Sequence, residues 1–114
     1  MRRLSLVLIL AASGFGHAYA DTTPLSPVAQ LMVLEPGDSS YKLFHGTVWL
    51  DADKASTNYR WGGLQCKGRE LSDTSIQILF AAFRSEYQVK LEYVVADYQS
   101  KSYRCVTGFT ISKT

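Results

Sequence analysis

The fold depends on one predicted helix, residues 72–86, with the sequence SDTSIQILFAAFRSE. Ser72 or Asp73 can cap its first turn, because a short polar side chain there accepts hydrogen bonds from free backbone N–H groups. Apolar side chains at i, i+3, i+4 and i+7 predict an inward-facing stripe made of Ile76, Leu79, Phe80 and Phe83. The rest of the circumference carries few polar groups, since Ile78, Ala81 and Ala82 also lie on it. In a small domain such a helix predicts burial on a second side, through self-association.

Five strand patterns surround this helix, three before it and two after it. They cover residues 28–35, 41–50, 59–66, 89–95 and 103–112, and a proline-containing extended lead-in precedes them at 21–27. Gly62 and Gly63 predict a bulge or bend in the third strand. Alternation predicts which side chains share a face of each strand. In the second strand, one face carries Phe44, Val48 and Leu50, and the other carries Tyr41, His45, Thr47 and Trp49. One face of the fourth strand carries Val89, Leu91, Tyr93 and Val95, and one face of the fifth carries Tyr103, Cys105, Thr107, Phe109 and Ile111.

This order predicts a mainly β protein with one helix. A helix between strands 3 and 4 of a five-stranded antiparallel set is the layout of the OB-fold, a small Greek-key barrel. The third and fifth strands are neighbours in that barrel, and the two cysteines, Cys66 and Cys105, lie at the end of the third strand and within the fifth. A disulfide between them therefore agrees with the fold. A competing layout is an open α+β sheet with the helix on one face.

The first 20 residues are predicted to be a signal peptide. Arg2 and Arg3 precede an apolar run at residues 4–12, and Ala18-Tyr19-Ala20 matches a cleavage site, which leaves residues 21–114 as a single domain. The apolar run is about half as long as a membrane span. We therefore expect a product without a membrane anchor that is secreted or periplasmic. That compartment favours a Cys66–Cys105 disulfide over a reactive thiol pair.

Charge argues against nucleic acid or an anionic membrane as a partner. The chain has 12 Lys and Arg against 10 Asp and Glu, but two of the arginines belong to the signal, so the mature domain is neutral (10 against 10).

The sequence has few residues that could catalyse a reaction, and we predict that the protein is not an enzyme and has no cofactor or metal site. His45 is the one histidine outside the signal, and a histidine in the middle of a strand is more often a packed or interface residue. The loop that contains Asp51 and Asp53 lacks the third acidic residue and the glycine of a calcium-binding loop. The chain also has too few ligand residues for a zinc site. A small hydrolase using one of these two aspartates is the enzymatic alternative.

Aromatic side chains are the more informative feature. The second predicted strand cannot bury both of its rows in one small barrel, so one row is expected to face solvent or another subunit. Tyrosine and tryptophan combine a flat apolar face with a polar group, which favours interfaces and sugar-binding surfaces.

Three segments resemble a known family: Phe44 through Cys66, the helix at 73–86, and YQVKLEYV at 87–94. They are similar to the B subunits of subtilase cytotoxin and of the pertussis-like typhoid toxin. Those are secreted OB-fold proteins that assemble five to a ring, line its channel with their helices and bind sialylated glycans on its outer surface. The resemblance implies a homo-oligomer, with a pentamer favoured, that binds a cell-surface glycan and can carry a separate catalytic A subunit.

The resemblance also implies a sugar site. The family holds its sugar with a serine that opens the first strand, polar residues around the loop between strands two and three, and a basic residue that opens the strand after the helix. The corresponding positions here are Ser26, Lys54, Thr57 and Lys90. A hydroxyl and a cation can fix a carboxylate or sugar hydroxyls. Pro24-Leu25 replaces the aromatic pair that precedes the family's serine, so the preference for sialic acid stays open.

These observations predict a secreted, disulfide-stapled OB-fold protein that binds cell-surface carbohydrate as a ring. The alternative is a periplasmic protein-binding module, such as an inhibitor or an envelope stress protein, that uses the Tyr41 and Trp49 surface.

Overall fold

The computed structural model describes residues 20–53 and 56–114. The predicted signal peptide, apart from Ala20, lies outside the described residues, and so does Lys54. The described part is mainly β with one α-helix, as predicted. Its elements are β1 (Asp21–Thr22), β2 (Ser26–Val33), β3 (Gly46–Leu50), β4 (Asn58–Trp61), α1 (Asp73–Arg84), β5 (Gln88–Tyr98) and β6 (Lys101–Ser112).

The helix follows the fourth strand of this set, not the third as predicted. The difference arises at residues 21–27, which were expected only as an extended lead-in. Asp21 and Thr22 form an additional short strand that pairs with β5. Thr23 holds it there, because its backbone N–H donates to the Leu91 carbonyl and its Oγ1 accepts from the Leu91 N–H, both at 2.9 Å.

The strands form one sheet in the order β1-β5-β2-β3-β4-β6, and β5 also pairs with β6. The pairings therefore run from β5 through β2, β3, β4 and β6 and return to β5. All are antiparallel except that of β4 with β6, which is parallel through Arg60 and Cys105. The predicted disulfide joins these neighbours, since Cys66 follows β4 and is bonded to Cys105 in β6.

The second and third predicted strands are shorter than expected. Residues 41–43 form turns and do not belong to the strand. The chain turns just before them, where Asp38 Oδ1 accepts a hydrogen bond from the Ser40 N–H at 2.8 Å. β4 ends at Trp61, because Gly62 and Gly63 both have positive φ angles of 74° and 72°. The predicted bend is therefore present, and it terminates the strand.

The main core lies between α1 and the inner faces of the strands. Its buried members are Val28, Val48, Leu50, Tyr59, Leu79, Ala82, Val89, Leu91 and Val106. A smaller cluster surrounds the disulfide and contains Cys66, Val94 and Cys105, with Ala96 and Tyr103 packed against it.

A β-bulge in β6 corrects the predicted faces of the last two strands. Gly108 lies opposite Glu92 but Val106 lies opposite Tyr93, so Thr107 is an extra residue. An extra residue shifts the alternation by one position. Phe109 and Ile111 therefore pack on the main core while Tyr103 and Cys105 belong to the disulfide cluster. β5 has no extra residue, so Val95 stays in its predicted row, but it lies outside the main core and is half exposed at 49%.

The inward side of α1 also differs from the prediction. Ser72 caps the helix, and its Oγ accepts from the Ser75 N–H. The buried residues are Leu79 and Ala82, whereas the predicted core residues Phe80 and Phe83 are 49% and 37% exposed. The prediction is therefore right for Leu79 and wrong for the two phenylalanines: the helix is rotated so that Leu79 and Ala82 meet the core and the rings of Phe80 and Phe83 do not.

Candidate functional site

A polar cavity of about 180 Å³ lies between the chain entering β4 and the start of β6. Its lining residues are Ser56, Thr57, Asn58, Arg60, Ser102, Tyr103 and Arg104. They include two arginines and no carboxylate. The cavity therefore combines two cations with hydroxyl and amide groups, and the Asp97 carboxylate lies beside it, since it accepts from Ser102 Oγ at 2.7 Å.

Arg60 is held in a fixed position at this cavity. Its guanidinium carbon lies 4.2 Å from the centre of the Phe44 ring and 5.1 Å from that of the Tyr103 ring. Its Nε donates to Asn58 Oδ1 at 3.1 Å, and its Nη1 donates to Gln65 Oε1. Burial lowers the pKa of Arg60 below its usual value, because a charged guanidinium loses solvation there.

The charge of Arg60 is matched by neutral groups alone. Within residues 20–53 and 56–114, no carboxylate forms an ion pair with it. Asn58 Oδ1 accepts from Thr47 as well as from Arg60, so this amide oxygen is fully used within the protein. Two of the five guanidinium N–H groups have these protein acceptors. The other three have no hydrogen-bond acceptor within the described residues.

The alternation of β4 explains why Arg60 lies at this position. Tyr59 and Trp61 are buried, at 3% and 1% exposed, so the residue between them must point to the other face of the sheet. The Arg60 backbone pairs with Thr47 on one side and Cys105 on the other. The disulfide then ties both sides of the cavity together.

Of the residues implied by the family resemblance, Ser26 and Lys90 lie on paired strands, since Ser26 in β2 is opposite Val89 in β5. Thr57 lines the cavity. Ser26 is only 2% exposed, and its Oγ accepts from the Ala52 N–H at 3.0 Å and donates to the Pro27 carbonyl at 2.9 Å. Lys90 is an exposed residue of β5 outside the cavity lining, and Lys54 lies outside the described residues.

Sequence reasoning missed Arg60, Tyr103 and Arg104. A usable signal was present at Arg60, since a charged residue between two aromatic strand residues predicts a cation on the open face of a sheet. Its meeting with β6 depends on the parallel pairing of β4 and β6, which the local pattern does not contain.

Two of the residues considered for catalysis, His45 and Asp53, have structural partners. His45 Nδ1 lies 2.7 Å from Glu70 Oε1, and the His45 ring stacks on Tyr41 with centroids 3.9 Å apart. Asp53 Oδ2 accepts from the Tyr59 hydroxyl at 2.9 Å. Burial and this carboxylate raise the pKa of Tyr59 above its usual value.

A second cavity of about 240 Å³ lies beside His45. Its lining combines apolar and acidic residues: Val33, Leu34, Glu35, Pro36, Tyr41, His45, Trp61, Glu70, Leu71, Asp73 and Ile76. In the part of the chain that the structure describes, no three His, Cys, Asp or Glu side chains are grouped to hold a metal ion. No described helix is long and apolar enough to cross a membrane.

No protein-family model matches the sequence, and no curated protein or solved structure matches it either. The resemblance to toxin B subunits therefore stays a prediction.

Proposed function

We propose that the protein is a secreted, non-catalytic glycan-binding subunit that assembles into a ring, as the toxin B subunits that it resembles do. The observation that carries this proposal is the cavity at Arg60. It combines hydroxyl, amide and guanidinium groups with the ring of Tyr103, on strands that the disulfide ties together. Rigid polar groups beside an aromatic face suit a sugar, which has hydroxyls on its edges and an apolar ring face.

The OB-type barrel is part of this proposal. It is supported by the return of the strand pairings to β5 and by the parallel pairing of β4 with β6. The helix precedes β5, so it lies between the third and fourth strands if the two-residue β1 is left out of the count.

Self-association is supported by the outer surface of α1. Ile78, Phe80 and Phe83 are 45%, 49% and 37% exposed, although they are large and apolar. Phe80 and Phe83 lie about 60° apart around the helix and form one exposed apolar surface, whereas Ile78 lies on the opposite flank of the helix. Such a surface favours burial against another one. Packing of α1 against the helices of neighbouring copies would cover this surface and would place the helices at the axis of a ring. A separate catalytic A subunit would then bind at that axis.

Assembly explains how a small cavity can give useful affinity. A cavity of about 180 Å³ has room for one terminal sugar group and so supports weak binding by a single site. Once one copy of a ring has bound a glycan on a surface, binding by the other copies is intramolecular. This raises the avidity of the ring about 100-fold or more over the affinity of a single site.

A second candidate function is supported by the cavity beside His45. Its mixture of Val33, Pro36 and Tyr41 with the acids Glu35 and Glu70 suits a basic and apolar peptide. In this alternative the protein is a periplasmic protein-binding module.

A glycan array with the purified protein, combined with light scattering, tests the proposal against this alternative. We expect an oligomer that binds a restricted set of glycans. A monomer that binds no glycan would favour the protein-binding module.

A further inference from the structure

We propose that the cavity beside His45 is a second binding site, which takes the side chain of one lysine or arginine of a partner protein. The apolar stem of that side chain would lie between the apolar walls of the cavity, and its cationic group would contact the carboxylates of Glu35 and Glu70. This inference does not depend on the proposed glycan binding. It identifies the chemical group that the second candidate function would recognise.

The first argument is electrostatic. The cavity lining contains the carboxylates of Glu35, Glu70 and Asp73 and no lysine or arginine. Within residues 20–53 and 56–114, the one ion pair joins Glu70 to His45, and a charge on His45 would offset only one of the three acids. Asp73 lies in the first turn of α1, where a negative charge is favourable. Glu35 and Glu70 therefore attract a cation from outside the protein.

The second argument concerns the apolar part of the lining. It consists of five aliphatic or proline side chains and the rings of Tyr41 and Trp61; the five are Val33, Leu34, Pro36, Leu71 and Ile76. An inorganic cation would leave these side chains without a partner, whereas the methylene stem of a lysine or arginine can pack on them while its charged end meets an acid. The volume of about 240 Å³ is below the range of about 300–1,000 Å³ that is typical of drug-sized ligands, so one side chain fits and several do not.

The third argument is that the cavity is preformed. Backbone hydrogen bonds join its segments, since the Leu34 N–H donates to the His45 carbonyl at 2.9 Å and the His45 N–H donates to the Trp61 carbonyl at 2.8 Å. The Gly62 N–H donates to the carbonyl of the residue before Glu70, also at 2.8 Å. A methyl group on Gly62 would overlap the His45 ring and lie 2.9 Å from Glu70 Oε1, so both side chains pack directly on the glycine. A site that is already ordered loses less free energy when a ligand binds.

The fourth argument identifies the source of the cation as a polypeptide. Val33 and Pro36 line the cavity and are also exposed, Val33 at 44%. One side chain inside the cavity would leave part of their surface uncovered, and the residues on either side of it in a polypeptide can cover that part. A basic residue flanked by apolar residues is therefore the sequence that this surface fits.

NMR titration of the purified protein with four probes tests the inference. Three probes are blocked tripeptides with leucine on either side of arginine, lysine or citrulline, and the fourth is N-butylguanidinium chloride. We expect the arginine and lysine tripeptides to shift the amide resonances of Glu35 and Leu71. Citrulline has the shape of arginine without its charge, so its tripeptide should bind about 5- to 20-fold more weakly.

Three results of this titration would overturn the inference. Equal binding of the arginine and citrulline tripeptides would reject a cation as the bound group. Binding of N-butylguanidinium as tight as that of the arginine tripeptide would reject a polypeptide as its source. No shift of either resonance at millimolar tripeptide would reject the site itself.

Two matched variants locate the bound cation. Glu35 is exposed and forms no ion pair within the described residues, so Glu35→Gln should leave the fold intact and weaken binding of the arginine tripeptide about 2- to 5-fold. Glu92→Gln, in β5 and outside the cavity lining, should leave that affinity unchanged. Equal effects of both variants would attribute binding to the overall charge of the protein and refute the site. Thermal unfolding shows whether both variants are folded; if Glu35→Gln is not, the citrulline comparison on wild-type protein decides.

A glycan array reports separately on the proposed function. Glycan binding without any response to the basic tripeptides would reject this inference alone. A response to the tripeptides without any bound glycan would reject the glycan-binding function alone and favour the protein-binding module.

Discussion

Replacing Cys66 and Cys105 together by alanine should remove a large part of the stability of this protein. The two residues are 39 positions apart, and their sulfurs form a fully buried disulfide. In the chain-entropy model, releasing a loop of this length gives the unfolded chain about 4 kcal/mol of additional freedom at 25 °C. The whole domain is expected to have an unfolding free energy of only about 5–15 kcal/mol.

Urea unfolding of wild-type protein and the double variant measures this effect. With a slope of about 1.5 kcal/mol per molar urea, the midpoint should fall by about 3 M. Wild-type protein treated with a reducing agent is the matched control, since it loses the bond and keeps both sulfur atoms. A loss below about 1 kcal/mol with an unchanged slope would refute the entropic reasoning.

The same variant should affect the cavity. Cys105 is the backbone partner of Arg60, and Gln65, which accepts a hydrogen bond from Arg60, precedes Cys66. We expect sugar binding to weaken under conditions where the variant is still folded. Unchanged binding would mean that the strands alone fix the walls of the cavity.

Three further substitutions test individual contacts. Tyr59→Phe should cost about 1.5–3 kcal/mol, since it removes the hydrogen bond to the Asp53 carboxylate. The pKa of Tyr59 is raised by folding, so its contribution to the free energy of unfolding is complete below about pH 10 and is lost as the pH rises further. The free energies of unfolding at pH 8 and pH 11 should therefore differ less in the variant than in wild type. An equal difference would assign the titration to another group. Ser26→Ala should lower the unfolding free energy by about 1–2 kcal/mol without changing sugar affinity, because its hydroxyl bonds to Ala52 and Pro27; lost affinity in a stable variant would restore its role in the site. Gly46→Ala should cost about 1–3 kcal/mol in urea unfolding, because the new methyl group would overlap the buried Trp61 ring, and a neutral result would show that the ring can move.

The helix illustrates what the sequence could and could not predict. The start of the helix follows from local chemistry, and of the two predicted caps the structure has Ser72; the helix ends at Arg84, two residues before the predicted end. The apolar pattern covers more than half of the circumference, so it does not determine which part meets the sheet. Leu79 and Ala82 do so, and Phe80 is left outside.

The strands show a related limit. Predicted alternation assumes a regular ladder, and the extra residue Thr107 breaks that regularity in β6. The bulge is a property of the pair of strands, because it depends on how β6 aligns with β5. The cavity was missed for a related reason: the sequence predicted that these two strands are neighbours, but it did not predict the register that places Arg60 opposite Cys105 and so near Tyr103.

The proposed assembly requires that copies of this protein cover the exposed rings of α1. Light scattering on the purified protein, beside a Phe80→Glu variant, tests it most directly. Phe80 is half exposed, so a carboxylate there should leave the fold of the protomer intact while placing like charges at the interface between copies. We predict a wild-type mass near five times that of the protomer and a variant mass equal to one protomer, with similar thermal unfolding of both. A monomeric wild-type protein at micromolar concentration would contradict the account.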